Sequence, residues 1–240
     1  MNAVGFIYRL DKNGIVKNLT MKDSDLVGGK VGGIVVTVTG DGVVMGCVNY
    51  SNITAYIGAA GIVYNASTYS YVIGCTNYGD VTSESSEVGG ICAYAWYPKA
   101  IVGCANYGTV TGPEYTNGIV GDINSSGSVR IEACFNGGDV ISNDTRTSGY
   151  AISCYGFNWC YCTAGSTEYG DNMKYLNERI HHIDGNDCTF VDAVAAMNNT
   201  INTYNETATV KCNYRYVLNT DPETSEAYPI ILQEVTDAQE

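Results

Sequence analysis

The chain is short of charge, short of proline and free of long apolar runs. Only 15% of its 240 residues are charged, and 12 Lys and Arg stand against 25 Asp and Glu, for a formal net charge of −13. So few cations leave no basic stripe to neutralise a phosphate backbone, which argues against nucleic acid as a partner. An anionic membrane surface would repel the chain for the same reason. No apolar stretch approaches the roughly eighteen residues of a membrane-spanning helix, so membrane insertion is not expected either. Residues 1–30 lack the charged and apolar regions of a signal peptide, and Met1 leads almost at once into Gly5-Phe6-Ile7-Tyr8, which already reads as repeat. That start suggests a piece whose N-terminal end meets the rest of a larger parent chain.

With 4 Pro, 28 Gly and 20 Tyr, the composition suits many short strands and tight turns better than long surface helices. A period emerges from the cysteines. Cys47, Cys75, Cys104, Cys134 and Cys162 are separated by 28, 29, 30 and 28 residues, and stepping back 28 from Cys47 reaches apolar Leu19. Three residues before each stands Val16, Val44, Val72, Ile101, Ile131 and Trp159, a second file. After the cysteines come Asn49-Tyr50-Ser51, Asn77-Tyr78-Gly79, Asn106-Tyr107-Gly108 and Asn136-Gly137-Gly138, then Ile53, Val81, Val110 and Val140. A further element is Gly33-Ile34, Gly61-Ile62, Gly90-Ile91 and Gly118-Ile119, with Gly149 as a weaker fifth copy.

A unit of this length cannot bury its own apolar face, so identical residue types at identical slots imply stacking of each unit on the next. The expected fold is all-β: a parallel β-helix (β-solenoid) of about six 28–30-residue coils, each with roughly three short strands, over residues 1–168. The cysteines then form an interior file and not a disulfide framework, because a buried thiol packs as a small apolar side chain. The Asn amides, stacked about 4.8 Å apart, are placed to hydrogen-bond from coil to coil.

Past about residue 168 the register stops. Met173, Leu176 and Ile180 follow helical spacing, and Thr189-Phe190-Val191-Asp192 resembles a capping box opening a helix that carries Phe190, Val194 and Met197 on one face up to Asn198-Asn199. Val210, Cys212, Tyr214 and Tyr216 alternate with polar residues as in a half-buried strand; Asn219–Glu223 reads as a turn and Tyr228–Leu232 as a last strand. Residues 169–240 are thus expected to form a small α+β capping unit over the C-terminal end of the rod. Cys188 and Cys212 are candidates for a disulfide within it, with reduced thiols the equal alternative.

Residues 11–165 resemble the GLUG-type repeats of bacterial surface proteins, on the strength of Cys75-Thr76-Asn77-Tyr78-Gly79-Asp80-Val81 followed by Val88-Gly89-Gly90-Ile91, and of Gly14-Ile15-Val16-Lys17-Asn18-Leu19 as an opening coil. Phe190–Asn199 with Tyr228-Pro229-Ile230 is similar to the segments that close such arrays. The resemblance implies extracellular or cell-surface display in a bacterium and an adhesin-like or structural role; it carries no catalytic residues, cofactor or metal. Gly137 in place of Tyr in coil five, and the missing Asn around Cys162-Thr163-Ala164-Gly165, depart from the pattern.

Candidate chemistry is sparse. Asp80 and Asp139 share a slot two coils apart, as the carboxylate pair of a β-helical glycosidase would, but Asn52 and Thr109 fill the same slot elsewhere, as ordinary turn formers do. A polysaccharide lyase would need clustered cations, and the coils offer scattered Lys99, Arg130 and Arg146. His181-His182 with Cys188, and Cys160-x-Cys162, have zinc-ligand types without a recognised spacing. Tyr50, Tyr78 and Tyr107 form a file at one corner, joined on the coils by Tyr56, Tyr69, Tyr71, Tyr94, Tyr97 and Tyr115. Tyrosine gives large contact area with little rotamer freedom to lose, so Tyr50, Tyr78, Tyr107, Tyr94 and Tyr97 are the binding candidates, for a glycan or a host surface protein. A stack that merely shields the rod's corners is the structural alternative. The chain therefore reads as a non-enzymatic surface module, with a carbohydrate-active β-helix or a phage or viral fibre segment as alternatives.

Overall fold

The computed structural model describes residues 2–124, 129–142, 157–158, 160–163, 180–183, 185–186 and 188–236. Over these residues the chain winds as a parallel β-solenoid carrying one α-helix and one antiparallel hairpin. Each coil contributes to four parallel sheets. Sheet I stacks Ile7–Leu10, Val35–Val38, Val63–Ala66, Cys92–Trp96 and Val120–Asn124; sheet II stacks Ile15–Lys17, Val43–Met45, Tyr71–Ile73, Ala100–Val102, Arg130–Glu132 and Phe157–Asn158. Sheet III runs from Thr20–Met21 through Val48–Asn49, Thr76–Asn77, Ala105–Asn106 and Phe135–Asn136 to Cys160–Thr163 and Ile180–Ile183. Sheet IV contains the longer Asp25–Gly32 and Asn52–Ala60 and, in later coils, Val81–Ser83, Val110–Gly112 and Val140–Ser142.

Four strands per coil replace the expected three because a sharp corner divides what reads as one segment. Between sheets II and III the corner residue is Asn18, Gly46, Gly74, Gly103 or Ala133, each with φ between 51° and 63°. Such a left-handed residue turns the chain within a single position, too short a break for a polar loop to announce it.

The interior files are in register. Val16 pairs with Val44, Val44 with Val72, Val72 with Ile101 and Ile101 with Ile131. Ile34, Ile62, Ile91 and Ile119 are fully buried beside them, and Ile53, Val81 and Val110 line the opposite side. Each Ile so buried is worth about 1.5–3 kcal/mol, gained only when the next coil is in place. Trp159 and Gly149 lie outside the described residues; Phe157 is the residue paired with Ile131.

The thiol file is real, with one correction. Phe135 pairs with Tyr161 and Asn136 with Cys162, which sets Cys160, not Cys162, above Cys134. The spacing there is shorter by two than a 28-residue period demands. A two-residue slip keeps every side chain on its face, so alternation could not reveal it. From Cys47 to Cys134 each thiol donates to carbonyls of its own and the preceding coil: Cys75 Sγ lies 3.4 Å from Ile73 O and 3.7 Å from Val44 O, and Cys104 Sγ 3.5 Å from Val102 O and 3.6 Å from Val72 O.

The expected amide ladder is also present. Asn49 Nδ2 donates to Asn77 Oδ1, Asn77 to Asn106 and Asn106 to Asn136, each at 2.8 Å and with all four side chains fully buried. The second amide hydrogen satisfies a carbonyl two residues on, at Ser51, Gly79, Gly108 and Gly138. The amides explain the recurring Gly-Ile. A Cβ at Gly61 would overlap the Asn77 amide and the Gly90 carbonyl, and one at Gly90 the Asn106 amide and the Gly118 carbonyl.

The C-terminal α+β unit is built much as expected but sits elsewhere. Helix α1 spans Phe190–Thr207, opened by a Thr189–Asp192 capping box and continuing two turns past the expected Asn198-Asn199 because Ile201 and Tyr204 extend its buried stripe. Tyr214–Leu218 pairs antiparallel with Ile230–Glu234. Met173 and Leu176 lie outside the described residues; Ile180, expected in a helix, opens a strand that pairs in parallel with Cys160–Thr163. Among the described residues, the unit packs along the rod's flank and does not form a lid over its C-terminal end. Ala193, Met197, Ile201, Tyr204, Tyr214 and Tyr216 share one apolar cluster with Val43, Met45, Tyr71, Ile73, Ala100, Val102 and Phe135, the outward residues of sheets II and III. The strap reaches the first coil, where Tyr214 Oη donates to Asn18 Oδ1 at 2.6 Å and Lys17 Nζ lies 2.8 Å from Glu234 Oε1. The outward apolar residues of sheet II, buried under this unit, needed cover as much as the rod's end did, and apolar burial has no directional preference.

Candidate binding groove and tyrosine file

Tyr50, Tyr78 and Tyr107 follow the Asn ladder residue by residue, so the ladder's register forces their rings together. Tyr50 and Tyr78 stack with centroids 4.7 Å apart, and Tyr78 and Tyr107 at 5.2 Å, with planes within 8°. The strap closes on this file. Tyr228 meets Tyr78 and Tyr107 edge-on at 4.8 and 5.1 Å, and the Tyr107 hydroxyl donates to the Ile230 carbonyl. Burial, with Tyr50 and Tyr228 close by, pushes the Tyr78 hydroxyl up to about 12, and burial also raises that of Tyr107. Two of the three rings thus bind the chain's own C-terminal segment. Tyr50 at the head of the file remains 50% exposed.

Three further exposed aromatics, Tyr69, Trp96 and Tyr97, meet at the corner between sheets I and II. A groove of about 700 Å³ is lined there by Tyr69, Trp96, Tyr97 and Lys99 from two successive corners, with Arg130 and the end of α1 at Tyr204 and Thr207 as its far wall. Tyr69, Trp96 and Tyr97 are 56%, 48% and 37% exposed. Tyr97, one of the five binding candidates, belongs to this groove. Tyr94 lies on the sheet I strand Cys92–Trp96 that leads into this corner, half-buried, its hydroxyl accepting from Asn124 Nδ2 at 3.4 Å.

Two cations stiffen the groove. Lys99 Nζ lies 5.4 Å from the Tyr69 ring centre, 6.0 Å from that of Tyr71 and 3.8 Å from Asp41 Oδ1. Arg130 binds buried Glu132 through two hydrogen bonds of 2.8 and 2.9 Å, donates to Thr207 Oγ1 at 3.3 Å and covers the Tyr204 ring at 4.5 Å. A guanidinium held flat between carboxylate, hydroxyl and aromatic face has little freedom left to lose on binding. The backbone is unusual here too. Tyr69 and Tyr97 have φ of 64° and 54°, where earlier corners have Asn13 and Asp41 at 60° and 63°. Asn and Asp accept this conformation through local hydrogen bonds, whereas a tyrosine there costs about 1–2 kcal/mol.

The remaining candidates are used for stacking or do not converge. Asp80 Oδ1 accepts the Thr109 N–H at 2.8 Å, and the Asp80 N–H donates to Asn52 Oδ1 at 3.1 Å, so the slot is a coil-to-coil ladder. Asp139 is exposed two coils on from Asp80. His181 and His182 are successive strand residues and point to opposite faces: the His181 ring stacks on Tyr161 at 5.0 Å, while the His182 ring nitrogens lie 3.6 and 3.7 Å from Cys162 Sγ. Cys188 and Cys212 belong to the strap's packing cluster; Cys212 is a free thiol whose ionisation burial pushes up to about 12. Arg146 lies outside the described residues. Neither Trp96 nor the pairing of Arg130 with Tyr204 is anticipated from the sequence. The run Trp96-Tyr97-Pro98-Lys99 at a coil corner was a usable signal for the first; nothing local could have announced the second.

Comparison with protein-family models, with curated proteins and with solved structures finds no match.

Proposed function

We propose that this β-solenoid is a non-enzymatic structural or adhesive module, displayed outside a bacterial cell as part of a larger surface protein, and that it contacts a glycan or host protein through its tyrosine-rich corners. One observation carries the reading: the recurring Asn amides and Asp80 are consumed by coil-to-coil bonds, while Tyr69, Trp96 and Tyr97 are offered to solvent at the corners. Repeated bonding of this kind makes a stiff rod, and exposed Tyr and Trp make contact area at low entropic cost. The likeness of residues 11–165 to GLUG-type repeats supports the location. The test is to immobilise the chain, challenge it with mucin-coated and cell surfaces, and incubate it with soluble polysaccharides and peptides. Retention without product release is expected. Cleavage at enzymatic rates would overturn the reading.

A further inference from the structure

We infer that the groove at Tyr69, Trp96 and Tyr97 is a saccharide-binding site for an uncharged hexopyranose segment of a longer glycan. The inference rests on the adhesive reading above and names its ligand. A space of about 700 Å³ falls within the roughly 300–1,000 Å³ of small-ligand sites. Its aromatic faces are of two kinds. Those of Tyr69, Tyr71 and Tyr204 already carry Lys99 or Arg130. Among the described residues no cation covers Trp96 or Tyr97, and both rings are open to solvent. The negative face of an aromatic ring attracts the polarised C–H face of a pyranose, which is apolar on that side and hydroxylated at its rim. Lys99 Nζ and the Thr207 hydroxyl stand at the groove's edge as hydrogen-bond partners for such a rim.

Charge selects among ligands. Lys99 sits beside Asp41 and Arg130 is paired with Glu132, so the groove is locally balanced, while the whole chain carries −13. A uronate or sulfated polymer is repelled at long range and finds no unpaired guanidinium at short range. An uncharged sugar meets no such obstacle.

The test titrates the intact chain with uncharged hexasaccharides of β-1,4-linked glucose, β-1,4-linked N-acetylglucosamine and β-1,4-linked mannose, with hexagalacturonate as the acidic probe. Tryptophan fluorescence and calorimetry report binding. At least one uncharged hexamer is expected to bind with Kd below about 1 mM and hexagalacturonate more weakly. Trp96→Ala should weaken binding roughly tenfold or more, as should Tyr97→Asn, which keeps a residue that accepts the left-handed backbone. Tyr8→Ala, which removes an exposed tyrosine outside the groove, should bind as the parent does, and thermal unfolding should verify that all three variants fold. No binding of any uncharged hexamer up to about 10 mM, equal binding by Trp96→Ala and Tyr97→Asn, or tighter binding of hexagalacturonate each overturns the site. Retention on cell surfaces that survives Trp96→Ala would overturn the groove and leave the adhesive reading standing; loss of retention by the parent chain would remove the adhesive reading alone.

Discussion

The rod's interior and its strapped flank are held by different kinds of contact. Inside, one interaction is repeated: Asn to Asn at 2.8 Å, Val over Val, thiol over thiol, coil after coil. On the flank every contact occurs once. Tyr216 Oη reaches the Cys104 and Ala133 carbonyls at 2.9 and 2.8 Å, Tyr214 reaches Asn18, and Asn198 grips the Tyr216 backbone in both directions at 2.9 Å. A repeated contact fails cooperatively, because each coil is the neighbour its neighbours need. A single contact fails locally. The interior should therefore behave as one cooperative body and the strap as a unit that opens at lower cost.

The largest expected effect tests the interior. Asn106→Leu removes the acceptor of the Asn77 amide and the donor to the Asn136 and Gly108 carbonyl oxygens, all buried. At about 1–3 kcal/mol for each stranded group, the loss should exceed about 3 kcal/mol in urea denaturation and should lower the whole rod together. Loss confined to one coil, with the others unfolding at the parent's midpoint, would break the contrast. Tyr216→Ala tests the strap. It deletes one of the largest fully buried side chains, a loss of about 3–5 kcal/mol, and should open residues 188–236 to proteolysis while the coils through Ser142 stay protected. Simultaneous loss of rod and strap would show them to be one folding unit.

How much of this could be read from the chain alone follows from the same contrast. The files at Val44, Val72 and Ile101, at Ile34, Ile62 and Ile91, and the Asn ladder were legible because repetition announces them several times over. The capping box at Thr189 and the alternation at Tyr214 and Tyr216 were legible because they are local. Where the strap lies was not: the outward Val43, Tyr71, Ile73 and Val102 are ordinary strand residues, and no neighbouring position says what covers them. Gly46 and Gly74 did hold a trace of it, since a Cβ at either would strike the Tyr214 side chain. Cys162 was misplaced because a slip of two preserves alternation. The groove was half legible, through Tyr97 on the corner, whereas Arg130 and Tyr204 meet only in the fold.

The smallest expected effect is a pH dependence confined to the strap's far end. Hydrogen bonds from Lys17 and Asn18 hold the Glu234 carboxyl below its ordinary range. A depressed folded-state value means stabilisation that is full above the unfolded value of about 4.3 and is lost as pH falls through the folded one. Glu234 is largely exposed, so the effect should be slight and weakened by salt. Hydrogen exchange of Glu234 and Val235 should quicken below about pH 4 while the Val44–Val72–Ile101 strands are unmoved, and Glu234→Gln should remove that response.

The placement of the C-terminal unit along the flank is tested most directly by zero-length carbodiimide coupling of the native chain followed by peptide mass spectrometry. Lys17 Nζ and Glu234 Oε1 are 2.8 Å apart, although they belong to the first coil and the last strand. The expected product is an amide between Lys17 and Glu234. Its absence, with the carboxylates of the strap coupling only to amines near the last coils, would contradict the flanking arrangement and restore a lid over the C-terminal end.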